Sequence, residues 1–319
     1  MRVRALLIVN PRATSTTKPV LDFIVRSLAA EVELETVETR YRGDARGIAA
    51  AAAAEGRDAL LVLSGDGTIN EVVNGLMQDV PIRAGHRAAT AGQRPAIGAI
   101  PGGNANVFTR DLGVPADPVA AVKVIGAHLA AGTTRTIGLG LAGDRYFTFN
   151  AGLGLDAEVV RAVEERRARG RRASSPLYIL MALREFYFRS DRRHPALDLE
   201  TASGIAVPSL GMALVSNTTP WSYVGRHPVS PTPNASFDTG LDVFGLRRMR
   251  TFSTLNAIRQ MMQQGERPPI GKYVLNLHDE PELTVRSRAP AALQVDGEYV
   301  GETTSVTFRS VPEALRVIA

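Results

Sequence analysis

Residues 59 to 77 read Ala-Leu-Leu-Val-Leu-Ser-Gly-Asp-Gly-Thr-Ile-Asn-Glu-Val-Val-Asn-Gly-Leu-Met: a short apolar run, a glycine-bracketed acid, and an amphipathic run. The apolar run suits a strand buried on both faces. Ile69, Val72, Val73 and Leu76 recur at helical spacing, so one helix face packs on a sheet. Asn70, Glu71 and Asn74 then point elsewhere and are expected to reach a ligand. Gly65 and Gly67 leave the turn around Asp66 without Cβ atoms, which lets phosphates approach backbone N–H groups at the helix start. Asp66 would hold Mg²⁺ beside those phosphates. An ordinary strand-to-helix turn uses the same residues, so this motif alone leaves both readings open.

A second segment, Pro95 to Arg110, repeats the pattern: an apolar strand runs into Pro101-Gly-Gly-Asn-Ala-Asn106 and then a helix. Two such turns, each after a parallel-type strand, lie at the carboxyl edge of one sheet, where open α/β sheets bind ligands. Around them the first 135 residues alternate strands and helices: Ala5 to Val9, a helix through Leu21, Ile24, Val25 and Leu28, Val32 to Thr39, a helix from Ile48 to Glu55, Ala59 to Leu63, and Ala96 to Ile100. This predicts a parallel sheet covered by helices. Met77 to Pro95 reads as a surface excursion, and Val119 to Ala131 as a helix stopped by Gly132.

Beyond Gly132 the texture turns to strand and hairpin. Thr134 to Leu141 and Tyr146 to Asn150 flank the turn Ala142-Gly-Asp-Arg145, and further strands fall at Ile205 to Ser216 and Leu241 to Leu246. The expected fold is α/β, with a parallel-sheet nucleotide-binding domain over 1–135 and a mainly antiparallel β domain over 136–307. Ala314 to Ala319 suits a last strand.

The chain has 319 residues, 45% apolar and 22% charged, which suits globular domains with real cores. It has no cysteine, so disulfides, thiolate nucleophiles and cysteine-held zinc are excluded. Its five histidines show no metal-ligand spacing. The apolar run at the start ends at Val9 and is followed by Asn10-Pro11, which suits a core strand better than a signal peptide. No stretch approaches the roughly 20 apolar residues that span a bilayer.

Net charge is +5, and it is concentrated. Arg161 to Arg193 holds ten arginines against four acids, a net of +6, and includes the largely apolar Pro176 to Phe188. Arginine beside aromatic and aliphatic bulk points to an anionic membrane interface. A solvated helix face over a core helix is the alternative. Nucleic acid comes last, because no helix-turn-helix, zinc finger or aromatic RNA-binding motif is present.

Val9-Asn10-Pro11, Thr39, Ser64 to Glu71, Pro101 to Asn106, Phe149-Asn-Ala-Gly-Leu-Gly-Leu-Asp156 and Val295-Asp-Gly-Glu298 occur in an order, and over a length, that resembles the diacylglycerol kinase catalytic domain. That family includes bacterial lipid kinases, sphingosine kinases and ceramide kinases. The resemblance implies a cytoplasmic, peripherally membrane-associated enzyme that uses ATP and Mg²⁺ to phosphorylate a lipid hydroxyl, diacylglycerol by default. It places the nucleotide along Asn10, Thr39, Gly65, Asp66, Gly67, Thr68, Glu71, Gly102, Gly103, Asn104 and Asn106. It makes Asp296, then Glu298, the proton acceptor, although an Asp-Gly hairpin tip explains the same residues. It turns Asp156 toward the lipid headgroup, against a local reading as a helix N-cap. It also implies that a strand within 308–319 returns to the first domain.

The chain departs from the family pattern in four places. Ser64 stands where glycine is usual, and Arg12, Ala13, Thr14 and Ser15 replace the glycines of the first loop. Asn104 puts an amide where a phosphate-contacting hydroxyl is expected. At the accessory Mg²⁺ segment, Ser236, Thr239 and Leu241, Thr239 replaces a carboxylate, so a hard cation loses a formal charge and occupation is disfavoured. The rivals are an NAD kinase-like or phosphofructokinase-like enzyme acting on a soluble substrate, and a catalytically weak lipid-binding regulator. Homodimerisation is left open.

Overall fold

The computed structural model describes residues 2–12, 17–78, 94–170, 175–189, 195–225, 227–263, 265 and 267–319. Contacts divide the chain into two units, 1–138 with 312–319, and 139–311.

The first unit is a parallel sheet with helices. β1 (Arg4–Val9) pairs with β2 (Glu33–Glu38) on one side and with β3 (Ala59–Ser64) on the other, and β3 pairs with β4 (Ala96–Pro101). β3 and β4 are buried throughout, as parallel strands with covered faces require, while the edge strand β2 is largely exposed and charged. The helices are α1 (Lys18–Glu31), α2 (Asp44–Ala54), α3 (Asp66–Leu76), the short α4 (Val107–Asp111) and α5 (Pro118–Ala131). The α2–α3 packing depends on Gly75, where a Cβ would lie 2.3 Å from the Arg46 carbonyl oxygen. α2 starts four residues earlier than its apolar pattern implies. Gly43 adopts φ 91°, and the Asp44 carboxylate accepts from the Arg40 N–H at 2.8 Å, so the turn is set before the alanine run begins. Most of the Met77 to Pro95 excursion lies outside the described residues.

The second unit is antiparallel. Through it run the end of β5 (Arg135–Ala142), β6 (Arg145–Phe147), β7 (Asn150–Gly154), β8 (Leu197–Thr201), β9 (Ala206–Leu210), β10 (Met212–Ser216), β11 (Ser222–Val224), β12 (His227–Val229), β13 (Leu241–Leu246), β14 (Val274–Glu280), β15 (Glu282–Val295) and most of β16 (Glu298–Val317). Its main ladder runs β14-β13-β10-β7-β15-β16. The core gathers Phe147, Leu153, Val215, Val243, Val285 and Phe308, with the Phe147 and Phe308 rings edge-on at 6.4 Å. Gly140 makes room for this: a Cβ there would sit 2.0 Å from the Phe147 ring.

Among the described residues this unit holds three helices: α6 (Leu155–Ala168), α7 (Ser175–Arg184), continued by a wide turn over Glu185–Arg189, and α8 (Thr251–Met261). The end of β16 lies in the first unit, where Val317 pairs with Ile97 of β4. Two expected strands are divided. Tyr146 to Asn150 breaks after Phe147 because the N–H groups of Thr148, Phe149 and Asn150 turn to a carboxylate, not to a neighbouring strand. Ile205 to Ser216 breaks at Gly211, where a Cβ would lie 2.7 Å from Met249, while Ser209 (φ 62°) lies within β9.

Candidate functional site

In the first unit, chain order reverses direction across β1: β2 lies on one side and β3 on the other. Loops leaving the carboxyl ends of strands at such a point diverge and open a ligand crevice. Asn10, at the end of β1, spans this point. Its side-chain amide donates to the Thr68 hydroxyl at 3.1 Å, and its oxygen accepts from the Arg12 N–H at 2.9 Å. Thr39 follows β2 and pairs its N–H with the Val9 carbonyl. Of the first loop, Ala13, Thr14 and Ser15 lie outside the described residues.

The glycines of the two turns have a reason that sequence alone did not show. A Cβ on Gly103 would lie 2.6 Å from the Gly65 Cα, and one on Gly102 would lie 2.9 Å from the Ser64 Cα. The turns after β3 and β4 therefore touch backbone to backbone. Asp66 locks them further: its two carboxylate oxygens accept from the Val107 and Phe108 N–H groups, each at 3.1 Å. Asn106, at φ 49°, closes the second turn on itself, accepting from the Gly103 N–H and donating to the Gly103 carbonyl. Asn104 is exposed between them.

The expectation that Asn70, Glu71 and Asn74 reach a ligand is corrected in part. Asn70 and Asn74 are buried, and the Asn74 amide donates to the Asn70 backbone and side-chain oxygens. Glu71 accepts from the Gly43 N–H at 2.8 Å, tying α3 to the loop before α2. Gly67 and Thr68 occupy the first turn of α3.

In the second unit, Asp296 and Gly297 form the tip of the β15–β16 hairpin, with φ 47° and 73°, the positive pair that a tight two-residue turn requires. The hairpin-tip reading is thus correct as structure, yet Asp296 is not a surface residue. It is 3% exposed and accepts four hydrogen bonds: from the N–H and hydroxyl of Thr148 at 2.8 and 2.9 Å, and from the N–H groups of Phe149 and Asn150 at 3.0 and 3.2 Å. Glu298 accepts from the Arg145 guanidinium at 2.9 Å and is partly exposed.

Asp156 sits in the first turn of α6. The cap position belongs to Gly154, with φ 80° and no side-chain cap bond, which corrects the N-cap reading. Asp156 is buried, and desolvation pushes its carboxyl up to about 6, opposed by the bond from Gln294. Gln294 was missed. Its amide donates to Asp156 and to the Asn150 side chain, both at 2.8 Å, and its oxygen accepts from the Gly297 N–H at 2.9 Å. A lone glutamine carries no motif. The signal was the polar alternation Gln294, Asp296, Glu298 closing an apolar strand.

Ser236, Thr239 and Leu241 do not fit a cation. The Ser236 carbonyl accepts from both the N–H and the hydroxyl of Thr239, each at 3.1 Å, so the turn is closed by its own residues. Among the described residues, no group of three or more His, Cys, Asp or Glu side chains is placed to hold a metal ion.

The basic stretch divides. Arg161 is held by Glu158 and Glu302, whereas Arg167 and Arg169 are exposed. Arg171, Arg172, Arg192 and Arg193 lie outside the described residues. On α7 and its wide turn, Ile179, Leu180, Leu183, Tyr187 and Phe188 are exposed. Leu180, Met181, Leu183, Tyr187 and Phe188, with Arg166 and Arg184, line an open cleft of about 400 Å³. Among the described residues, no helix is long and apolar enough to cross a membrane.

The model of the diacylglycerol kinase catalytic domain matches residues 4–141, which hold both glycine turns and stop short of Asp156 and the acidic hairpin. A diacylglycerol kinase of Bacillus subtilis is 34% identical over 307 residues, covering 93% of this chain and 90% of that protein. The chain belongs to the diacylglycerol kinase family of lipid kinases. A solved diacylglycerol kinase from Bacillus anthracis shares the family fold at a TM-score of 0.69 and 21% identity, covering 99% of this chain and 97% of that one. An NAD kinase from Archaeoglobus fulgidus, solved in complex with ATP, shares it more distantly, with a TM-score of 0.54, 11% identity, and coverage of 99% and 93%.

Proposed function

We propose that the chain transfers the γ-phosphoryl group of ATP to a lipid hydroxyl, that of diacylglycerol, giving phosphatidic acid and ADP. The observation that carries this reading is the 34% identity to a diacylglycerol kinase over nearly the whole of both chains. The switch-point loops supply the donor side. Asn10, Thr39, Gly65, Gly67, Thr68, Gly102, Gly103 and Asn104 present backbone N–H groups, hydroxyls and amides to the phosphates, while Asp66, Glu71 and Asn106 hold those loops in shape. Mg²⁺ enters with the triphosphate as part of the substrate and neutralises its charge. The two backbone bonds on Asp66 make loop anchoring its first task and the cation its second.

The acceptor side is the Asp296-Gly297-Glu298 turn. A lipid hydroxyl is a weak nucleophile, so a carboxylate of this turn accepts its proton as the oxygen bonds to the γ-phosphorus and ADP leaves. Asp156, buried at the start of α6, orients the headgroup. The exposed apolar side chains of α7 and the exposed arginines of α6 hold the protein peripherally at an anionic membrane on the cytoplasmic side, with an acyl chain in the cleft beneath Phe188.

The test is incubation of the protein with radiolabelled ATP, Mg²⁺ and a panel of micellar lipids, NAD and sugar phosphates. Label on diacylglycerol is expected. Label confined to NAD or to sugar phosphates, or absent from every acceptor, would overturn the assignment in favour of a soluble-substrate kinase or a regulator that retained the fold.

A further inference from the structure

α8 is apolar over more of its circumference than the core covers. Thr254, Ala257 and Met261 are buried, yet Phe252, Leu255, Ile258 and Met262 are exposed, Phe252 at 89%. Spaced three, three and four residues apart, these four form one stripe along the helix. Ile270, in the loop after α8, is 73% exposed, and its backbone N–H and carbonyl are both held by the Gln260 side chain at 3.0 Å. Isolated exposed apolar residues need no explanation, but a run of four along one helix does.

The surrounding charge is one-sided. Residues 247 to 273 carry Arg247, Arg248, Arg250, Arg259, Arg267 and Lys272 against Glu266, a net of +5. Arg248, Arg250 and Lys272 converge on the Tyr273 ring, at 5.9, 5.7 and 5.8 Å from its centroid. Among the described residues none of these three has an acidic partner. Like charges gathered with no acidic partner among the described residues are a site that an anion relieves.

We propose that α8 and the 267–273 loop form a docking surface for an anionic lipid membrane. Lipid phosphates occupy the Arg248–Arg250–Lys272 cluster, and Phe252, Leu255 and Ile258 enter the acyl boundary. The charge selects this occupant over a second copy of the chain, which would bring another cationic cluster against the first. The buried side of α8 shares a core with the α7 region, since Phe186 joins Ala257 and Met261 in one buried cluster. The inference gains its purpose from the lipid-kinase reading, but membrane binding is measured without turnover.

Co-sedimentation of the full chain with vesicles of equal parts phosphatidylglycerol and phosphatidylcholine tests it, with pure phosphatidylcholine vesicles as the second arm. Arg248→Glu with Arg250→Glu is expected to weaken partitioning onto the anionic vesicles at least tenfold, since each basic residue at such a surface contributes about fivefold. Phe252→Ser with Leu255→Ser is expected to weaken it to a similar degree. Circular dichroism and thermal melting should match wild type for both pairs, and phosphorylation of a monomeric short-chain diacylglycerol should be unchanged. Wild-type partitioning by both pairs, equal binding to pure phosphatidylcholine, or a dimer in analytical ultracentrifugation that only the α8 variants dissociate would each overturn the proposal. A chain that docks as expected but phosphorylates no lipid would leave the surface standing and remove the kinase reading instead.

Discussion

Asp296 and Asp156 lie in the same unit and are both buried, yet they are treated in opposite ways. Asp296 receives four donors, three of them backbone N–H groups that would otherwise be unpaired in the gap between β6 and β7. Asp156 receives the Gln294 amide, and burial lifts its carboxyl to about 6. The first is a charge that the fold is built around; the second is a charge that the fold resists. A buried carboxylate with a full set of donors is a structural anchor, whereas one left short of donors keeps unused capacity for a ligand. Gln294 joins them, bonding Asp156 on one side and the N–H of Gly297 on the other.

The comparison is broken most severely at Asp296. Asp296→Ala strands four buried donors, at about 1 kcal/mol or more each, so chemical denaturation should show a loss of at least about 4 kcal/mol. Turnover should vanish with it. Asp296→Asn keeps the shape and two acceptor lone pairs, and should recover part of the stability. An Asp296→Ala protein of wild-type stability would show that the four bonds are not what holds the turn. Asp66 is the first unit's counterpart, with two backbone donors, and Asp66→Ala should lose about 2 kcal/mol while abolishing phosphoryl transfer. Near wild-type turnover in either alanine variant would sink the mechanism.

The parallel order of the first unit was legible because its signals are local. Apolar runs, glycine turns and helical periodicity over Ala59 to Leu76 and Pro95 to Arg110 each concern neighbours in sequence. What the glycines do was not legible. Gly65, Gly102 and Gly103 serve the contact of two turns separated by a helix and an excursion, a matter of distance in space. The anchoring of Asp296 was hidden for the same reason, since its partners lie about 147 positions earlier in the chain. Asn70 and Asn74 misled because helical spacing gives the angle of a side chain but not whether another part of the fold covers it, and both are buried.

Asp156 sharpens the comparison through pH. Its folded-state carboxyl titrates above the ordinary 3.8, at about 6, so between those values the folded chain keeps a proton that the unfolded chain has released. Stability therefore falls as pH rises through that window and is level again above it. At neutral pH the ionised group destabilises by up to about 3 kcal/mol. Asp156→Asn should remove the slope and raise the melting temperature at pH 7, while lowering activity on diacylglycerol if the carboxylate orients the headgroup. A slope that persists in the asparagine variant would assign the titration to another group, such as Asp242, which burial also raises.

The smallest effect on stability belongs to Glu298, and there the contrast with Asp296 is sharpest. The two acids stand two residues apart on one turn, but the Glu298–Arg145 pair is partly open to solvent, with side chains 19% and 31% exposed. Ion pairs so placed contribute less than about 1 kcal/mol. Glu298→Gln should melt within a few degrees of wild type, yet turnover should drop by about a hundredfold or more if this carboxylate takes part in accepting the hydroxyl proton. Arg145→Met serves as the control: it removes the same ion pair but leaves the acid in place. If Arg145→Met lost as much turnover as Glu298→Gln, the pair would act by positioning the hairpin, and proton transfer would fall to Asp296 despite its four donors.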